Sequence, residues 1–151
     1  MTPFGSASEI VSMTALGDTG ALLALLDRTD GWHRLCMDAF HQLHLPLVTS
    51  EAVLTELFHL VGENRHEMET TWNFVRCGAI ELARIDNAEL SEIQALMYRY
   101  SDRPMDFADA TLVFLAKREA LSTVFTVDHA DFETYRIAGR RKFRIVPPAR
   151  P

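Results

Sequence analysis

Apolar positions along this chain recur with two different periods. Short aliphatic or β-branched runs of the kind that form strands are separated by longer stretches whose apolar residues return every three or four positions, the spacing of one helix face. Residues 10–16 predict a strand, and after Asp18 the segment 19–26 becomes an apolar helical run. Residues 31–44 carry Trp32, Leu35, Cys36, Ala39, Phe40 and Leu43 at helical spacing. Pro46 then opens a short extended piece at Leu47 and Val48. Thr49 or Ser50 caps the next helix, which runs to about Val61 before Gly62. Residues 67–77 predict a helix, 80–85 a short strand, and Asp86 or Asn87 caps a helix through Tyr100. Pro104 precedes a helix from about Asp106 to Ala120. Residues 123–127 predict a strand ending at Asp128, and a last strand, 143–146, stops at Pro147 and Pro148. Such alternation predicts an α/β sandwich, with a largely parallel central sheet covered by helices on both faces. In sheets of that kind ligands bind beyond the carboxyl ends of the strands.

At 151 residues, 48% apolar and 24% charged, the chain has the length and composition of one domain with a substantial core. Residues 1–8, small, polar and broken by Pro3 and Gly5, are expected to form a flexible extension, leaving 9–151 as the domain. No apolar run approaches the roughly 20 residues that span a bilayer, and no basic segment leads an apolar one as in a secretory signal. The expected location is therefore the cytoplasm. Cys36 and Cys77 lie far apart, in no metal-binding or redox spacing, and are expected to be small core hydrophobes. A net charge of −6 argues against a protein that coats nucleic acid by charge alone. Yet Arg136, Arg140, Arg141, Lys142 and Arg144 cluster near the C-terminus, where they are either a solvated segment or a phosphate-contacting one.

Four acids stand where a solvated charge is not the natural expectation. Asp18 sits between a strand and a helix, where it is either a helix cap or a site residue at a strand's carboxyl end. Glu56 falls at the margin of the apolar arc formed by Ala52, Val53, Leu57 and Leu60, so it either snorkels to solvent or needs a cation, a metal or a raised pKa. Glu51, in the first turn of the same helix, is explained by the helix dipole. Asp109 is embedded among Phe107, Ala108, Ala110, Leu112 and Val113, a setting that favours a site over a surface. Asp106, three residues earlier, is either its helix's cap or a fifth acid. Asp128 repeats the strand-end position of Asp18, with Thr126 two residues back on the same side of the strand, and Asp131 is a less favoured alternative. Converging carboxylates repel one another, and a hard divalent cation such as Mg2+ or Mn2+ relieves that repulsion through oxygen ligands. The chemistry such an ion supports is hydrolysis of a phosphodiester.

Two other readings are weaker. Asp18-Thr19-Gly20 has the form of an aspartic protease tripeptide, but that fold is nearly all β and here the tripeptide leads into a helix. His41 and His44, and His59 and His66 around Gly62, form no zinc pattern. His129, beside Asp128, is a conceivable neighbour of the site.

Taken together, four blocks in order resemble the PIN-domain family, and within it the VapC-type toxins of toxin–antitoxin pairs, over about residues 16–146. The blocks are Asp18-Thr19-Gly20-Ala21-Leu22-Leu23-Ala24-Leu25-Leu26, then Thr49-Ser50-Glu51-Ala52-Val53-Leu54-Thr55-Glu56-Leu57, then Met105-Asp106-Phe107-Ala108-Asp109-Ala110, then Phe125-Thr126-Val127-Asp128. The resemblance implies a PIN-like parallel sheet, a ribonuclease acting on RNA with Mg2+ or Mn2+, a homodimer, and inhibition by a small antitoxin protein. It implies Asp18, Glu56, Asp109 and Asp128 as the core catalytic and metal-binding acids, Asp106 as a supplementary one and Thr126 as a support. Gly17, where an apolar strand residue is commoner, and the long N-terminal segment depart from the pattern. The alternative is a noncatalytic PIN-like module that binds RNA or a protein partner. Trp32, Phe40 and Phe58 offer apolar surface for a partner helix or a dimer contact, or else core packing.

Overall fold

The apolar runs enter one sheet. A computed structural model describes residues 14–150, with strands β1 (Thr14–Gly17), β2 (His44–Thr49), β3 (Ile80–Leu82), β4 (Thr123–Phe125) and β5 (Arg144–Val146). Their order is β3-β2-β1-β4-β5, and every neighbouring pair is parallel. Parallel strands need crossovers, and those crossovers are the helices: α1 (Thr19–Leu26), α2 (His33–His41), α3 (Glu51–Val61), α4 (Arg65–Arg76), α5 (Leu90–Arg99), α6 (Phe107–Arg118) and α7 (His129–Thr134). The result is the expected α/β/α architecture. The chain builds outward from β1 to β2 and β3, then returns to add β4 and β5 on the other side. The carboxyl ends of β1 and β4 therefore flank the point where the strand order reverses, which is where a crevice opens in such sheets.

Two helices are enclosed by the fold rather than laid on it. In α1, Ala21, Leu22, Ala24 and Leu25 are buried, and in α6 every residue from Ala108 to Ala116 is. A helix apolar all round belongs in an interior. Both begin at the carboxyl edge of the sheet, so core packing by residues such as Leu22, Leu112 and Leu115 positions the acids at their N-termini. Each such side chain contributes about 1.5–3 kcal/mol when fully buried.

Several boundaries differ from the expectation. The helix predicted over 31–44 stops at His41, and His44 already belongs to β2. Pro46 lies inside that strand rather than before it. Lacking an N–H it cannot continue the ladder, and the pairing with β1 is irregular there: Thr14 faces His44 but Leu16 faces Val48. The strand expected over 80–85 is three residues, and Asp86 caps a 3-10 turn, Asn87–Glu89, that leads into α5. Helix α7 has no counterpart in the sequence reading. Cys36 is buried as expected, but Cys77 is exposed, because it follows the last turn of α4 on the solvent side. Trp32 and Phe40 pack against the core, and Phe58 stacks on Trp72, itself 49% exposed. The expected extension 1–8 and the start of the first predicted strand lie outside the described residues. Among those described, no helix is long and apolar enough to cross a membrane.

Candidate active site

Asp18 occupies the N-cap position of α1, yet its side chain makes no capping hydrogen bond. Instead it turns across the switch point, where Thr126 Oγ1 donates to its Oδ2 at 2.6 Å. The same Thr126 oxygen accepts from the backbone N–H of Asp128 at 2.9 Å, so one hydroxyl ties the end of β1 to the segment after β4. Asp18 is only 7% exposed. Burial pushes its carboxyl up to about 6, the hydrogen bonds from Thr126 and the Thr19 backbone oppose the shift, and the charges of Asp128 and Glu56 add to it.

Asp109 lies in the first turn of α6 and is 9% exposed. Tyr135 Oη, buried with its ring, donates to Asp109 Oδ2 at 3.0 Å. Burial, then repulsion from Asp18 and Asp106, raises this carboxyl to about 8 despite the Tyr135 bond. Asp106 is the N-cap of α6, its Oδ1 accepting from the Asp109 N–H at 2.8 Å, so the structural alternative for Asp106 is realised beside the cluster. Glu56, half-buried on α3, accepts from Thr19 Oγ1 at 3.0 Å. Ser50 caps α3, and its hydroxyl also bonds that of Thr111 on α6 at 2.8 Å, which fixes the helix of Glu56 against the helix of Asp109.

Asp128 precedes α7 and is more exposed. Partial burial and its neighbour Asp131 raise its proton affinity, while the Arg103 guanidinium lowers it. Arg103 Nε donates to Asp131 Oδ1 at 3.0 Å, and its Nη1 to Thr134 Oγ1 at 3.2 Å. Carboxylate oxygens of Asp109, Asp128 and Asp131 lie within 4.8 Å of one another. The tightest trio thus includes Asp131, which the sequence ranked below Asp106. All five expected acids and Thr126 belong to one neighbourhood, linked by hydrogen bonds and mutual repulsion.

Thr19, Arg103 and Tyr135 were not anticipated. Asp128, Asp131 and Tyr135 are spaced by three and then four, the signature of one helix face, but that signal becomes readable only once α7 is recognised. His129 is not among the acids: its ring nitrogens face the carbonyl oxygens of Pro147 at 2.7 Å and Val127 at 3.1 Å.

The donor set consists of carboxylate oxygens, with no Cys or His among them. It matches Mg2+ or Mn2+ better than zinc. Among the described residues no Lys or Arg bonds Asp18, Glu56 or Asp109, so the repulsion between Asp18 and Asp109 is not offset by a bonded basic side chain, and Arg103 compensates only the Asp128–Asp131 side of the cluster.

The chain is similar to a known family and to known proteins. The PIN domain family model matches residues 15–138. Ribonuclease VapC26 of Mycobacterium tuberculosis (strain ATCC 25618 / H37Rv) is 32% identical over 133 residues, covering 86% of this chain and 98% of that protein. The crystal structure of Mycobacterium tuberculosis VapC20, a Sarcin-Ricin loop cleaving toxin, superposes with a TM-score of 0.67 over 76% of this chain and 90% of that one. Its sequence identity is 16%, and its likeness is one of fold.

Proposed function

The chain belongs to the PIN domain family, and from that premise we propose that it is an endoribonuclease dependent on Mg2+ or Mn2+ and the toxin of a toxin–antitoxin pair. In this reading Asp18, Glu56, Asp109 and Asp128 are the catalytic and metal-binding acids, with Asp106 beside them and Thr126 in support. RNA as the substrate follows from the similarity to a ribonuclease, and the toxin role from the VapC-type motifs of the sequence. The observation that carries the reading is the pair of buried carboxylates, Asp18 and Asp109, which repel each other with no basic side chain bonded to either. A divalent cation bound among them would supply Lewis acidity toward an RNA phosphodiester and its attacking water.

The chain's own residues prepare that site. Thr126, Thr19 and Tyr135 hold Asp18, Glu56 and Asp109 respectively, each hydroxyl using part of a carboxylate's accepting capacity and leaving lone pairs for a cation. Arg103 holds Asp131 next to Asp109 and Asp128, so Asp131 joins the proposed set without adding a full uncompensated charge. A homodimer in the cytoplasm, masked by a small antitoxin protein, completes the proposal.

The test is cleavage of total RNA by the purified chain. Cleavage is expected with Mg2+ or Mn2+ and none in EDTA, with Asp18→Asn slowing the reaction at least about a hundredfold while circular dichroism stays unchanged. An undiminished rate in EDTA overturns the metal mechanism.

A further inference from the structure

The proposed substrate is a polyanion, but most of this molecule repels one. Residues 1–134 hold all twenty-one acidic side chains and nine of the fifteen basic ones, a formal charge of −12, whereas 135–151 hold the other six basic residues and no acid, a charge of +6. The acid cluster itself lies in the negative part. RNA approaching it meets repulsion that must be offset by phosphate contacts elsewhere.

Six of the fifteen basic side chains are engaged by a partner among the described residues, while Arg28, Arg34, Arg76 and Arg84, which are not, are scattered through the acidic part of the chain. Arg65, Arg103, Lys117 and Arg118 are paired with acids, Arg136 caps the end of α7 through the carbonyls of Glu133, Thr134 and Tyr135, and Arg150 stacks on Trp32. Arg140, Arg141, Lys142 and Arg144, in contrast, are exposed and have no hydrogen-bonding or ionic partner for their side chains among the described residues. They occupy a turn that is anchored, not loose. Ile137 and Arg141 exchange backbone hydrogen bonds of 2.7 and 3.0 Å, and buried Ile137 and Phe143 pin both sides. Gly139 sits in the turn with φ 80°, and Arg99, also without an ionic partner among the described residues, borders the same cavity of about 360 Å3 as Gly139.

The turn feeds β5, whose Arg144 pairs with Thr123 at the amino end of β4, five residues before Asp128. Five extended residues span at most about 18 Å, so Arg144 and Asp128 lie at opposite ends of two neighbouring strands, with Arg140, Arg141 and Lys142 in the turn that leads into Arg144, a separation that a single strand of RNA can bridge.

We propose that the turn of Arg140, Arg141, Lys142 and Arg144 is a remote binding site for the phosphate backbone of single-stranded RNA, holding substrate while a distal phosphodiester enters the acid cluster. The choice of RNA as the polyanion rests on the ribonuclease reading above. The contacts are ionic and sequence-independent, so the site contributes affinity and association rate rather than base preference.

Two measurements test it. Binding of a labelled RNA of about 16 nucleotides, within the length a single-strand-binding fold covers, is followed by anisotropy across salt concentrations, using Asp18→Asn protein so that the strand stays intact. Changing the four basic residues to Gln is expected to weaken binding about tenfold or more and to lower the salt slope by up to about 3. The version with Lys at Arg140, Arg141 and Arg144 should bind nearly as the parent does. Unchanged affinity and slope, or equal losses for the Lys and Gln versions, overturn the proposal.

The second measurement is cleavage by the chain with Asp18 intact. The Gln version should raise KM for the longer RNA with kcat retained, and leave cleavage of a dinucleotide unaltered. Equal slowing on both substrates means a damaged acid site and overturns a remote role. Loss of binding to anionic phospholipid vesicles with RNA binding intact assigns the patch to a membrane surface and likewise overturns it. If the unaltered chain cuts no RNA under any metal condition, the ribonuclease reading fails, while the anisotropy still decides the patch.

Discussion

Asp109 bears a charge only at a cost, because the apolar helix around it and its acidic neighbours raise its carboxyl to about 8, as burial and repulsion raise that of Asp18 to about 6. Both values lie above the ordinary 3.8, so the folded, metal-free chain binds protons that the unfolded chain has released. Their contribution to stability is fully present below the ordinary carboxylate value and is lost as pH rises through about 6 and then about 8. The thermal midpoint in EDTA is therefore expected to fall from mildly acid to mildly alkaline pH, by an amount on the order of a few kcal/mol in stability. Asp109→Asn should flatten the fall and be the more stable protein at the alkaline end. A flat or rising midpoint for the parent chain would refute this account. The acids were legible in the sequence because a carboxylate inside Phe107-Ala108-Asp109-Ala110, or closing a β-branched run, is out of place. Thr126 was legible from the two-residue period of a strand. Thr19, Tyr135 and Arg103 were not, since a hydroxyl or a guanidinium is unremarkable until the fold sets it against an acid.

Among the elements, α1 and the segment after β4 meet at Gly20, where an added Cβ would stand 2.9 Å from Val127 Cγ2. Thr126 and Asp128 flank that valine, so the close approach sets the distance across which Thr126 reaches Asp18. Gly20→Ala gains about 1 kcal/mol of helix propensity but overpacks the contact by about 1–3 kcal/mol. The expected outcome is a small loss in denaturation midpoint with a disproportionate loss of cleavage, and recovery of cleavage in the Gly20→Ala, Val127→Ala double variant. If cleavage drops no further than stability does, the contact matters only for packing. The long elements were readable from period alone, notably α1, α3 and α6. Helix α7 was not, because His129-Ala130-Asp131-Phe132-Glu133-Thr134 offers one large apolar residue, Phe132, and no repeat. Its anchor is tertiary: Phe132 is wholly buried and its ring meets those of Tyr135 and Phe143.

For the whole molecule, the alternation of helix and strand predicted the layers but not the order β3-β2-β1-β4-β5, which depends on pairings between segments far apart in the chain. The toxin role is a whole-molecule property too. Expression of the chain alone is expected to arrest growth, Asp18→Asn to be tolerated, and co-expression of the adjacent gene's product to restore growth and co-purify. A chain that is harmless alone and captures no small partner counts against the toxin role and leaves the ribonuclease reading standing. The Thr126–Asp18 hydrogen bond joins residues 108 apart, and Thr126 in turn has its backbone N–H on Val146, twenty residues further along the chain. Synthesis proceeds from the N-terminus at about 5–20 residues per second, so a chain still attached to the ribosome holds Asp18 and Glu56 for seconds before Asp128 exists to join them. On the roles proposed for these acids, the half-made protein is unarmed amid the RNA that is making it, and any premature stop before residue 128 leaves it so.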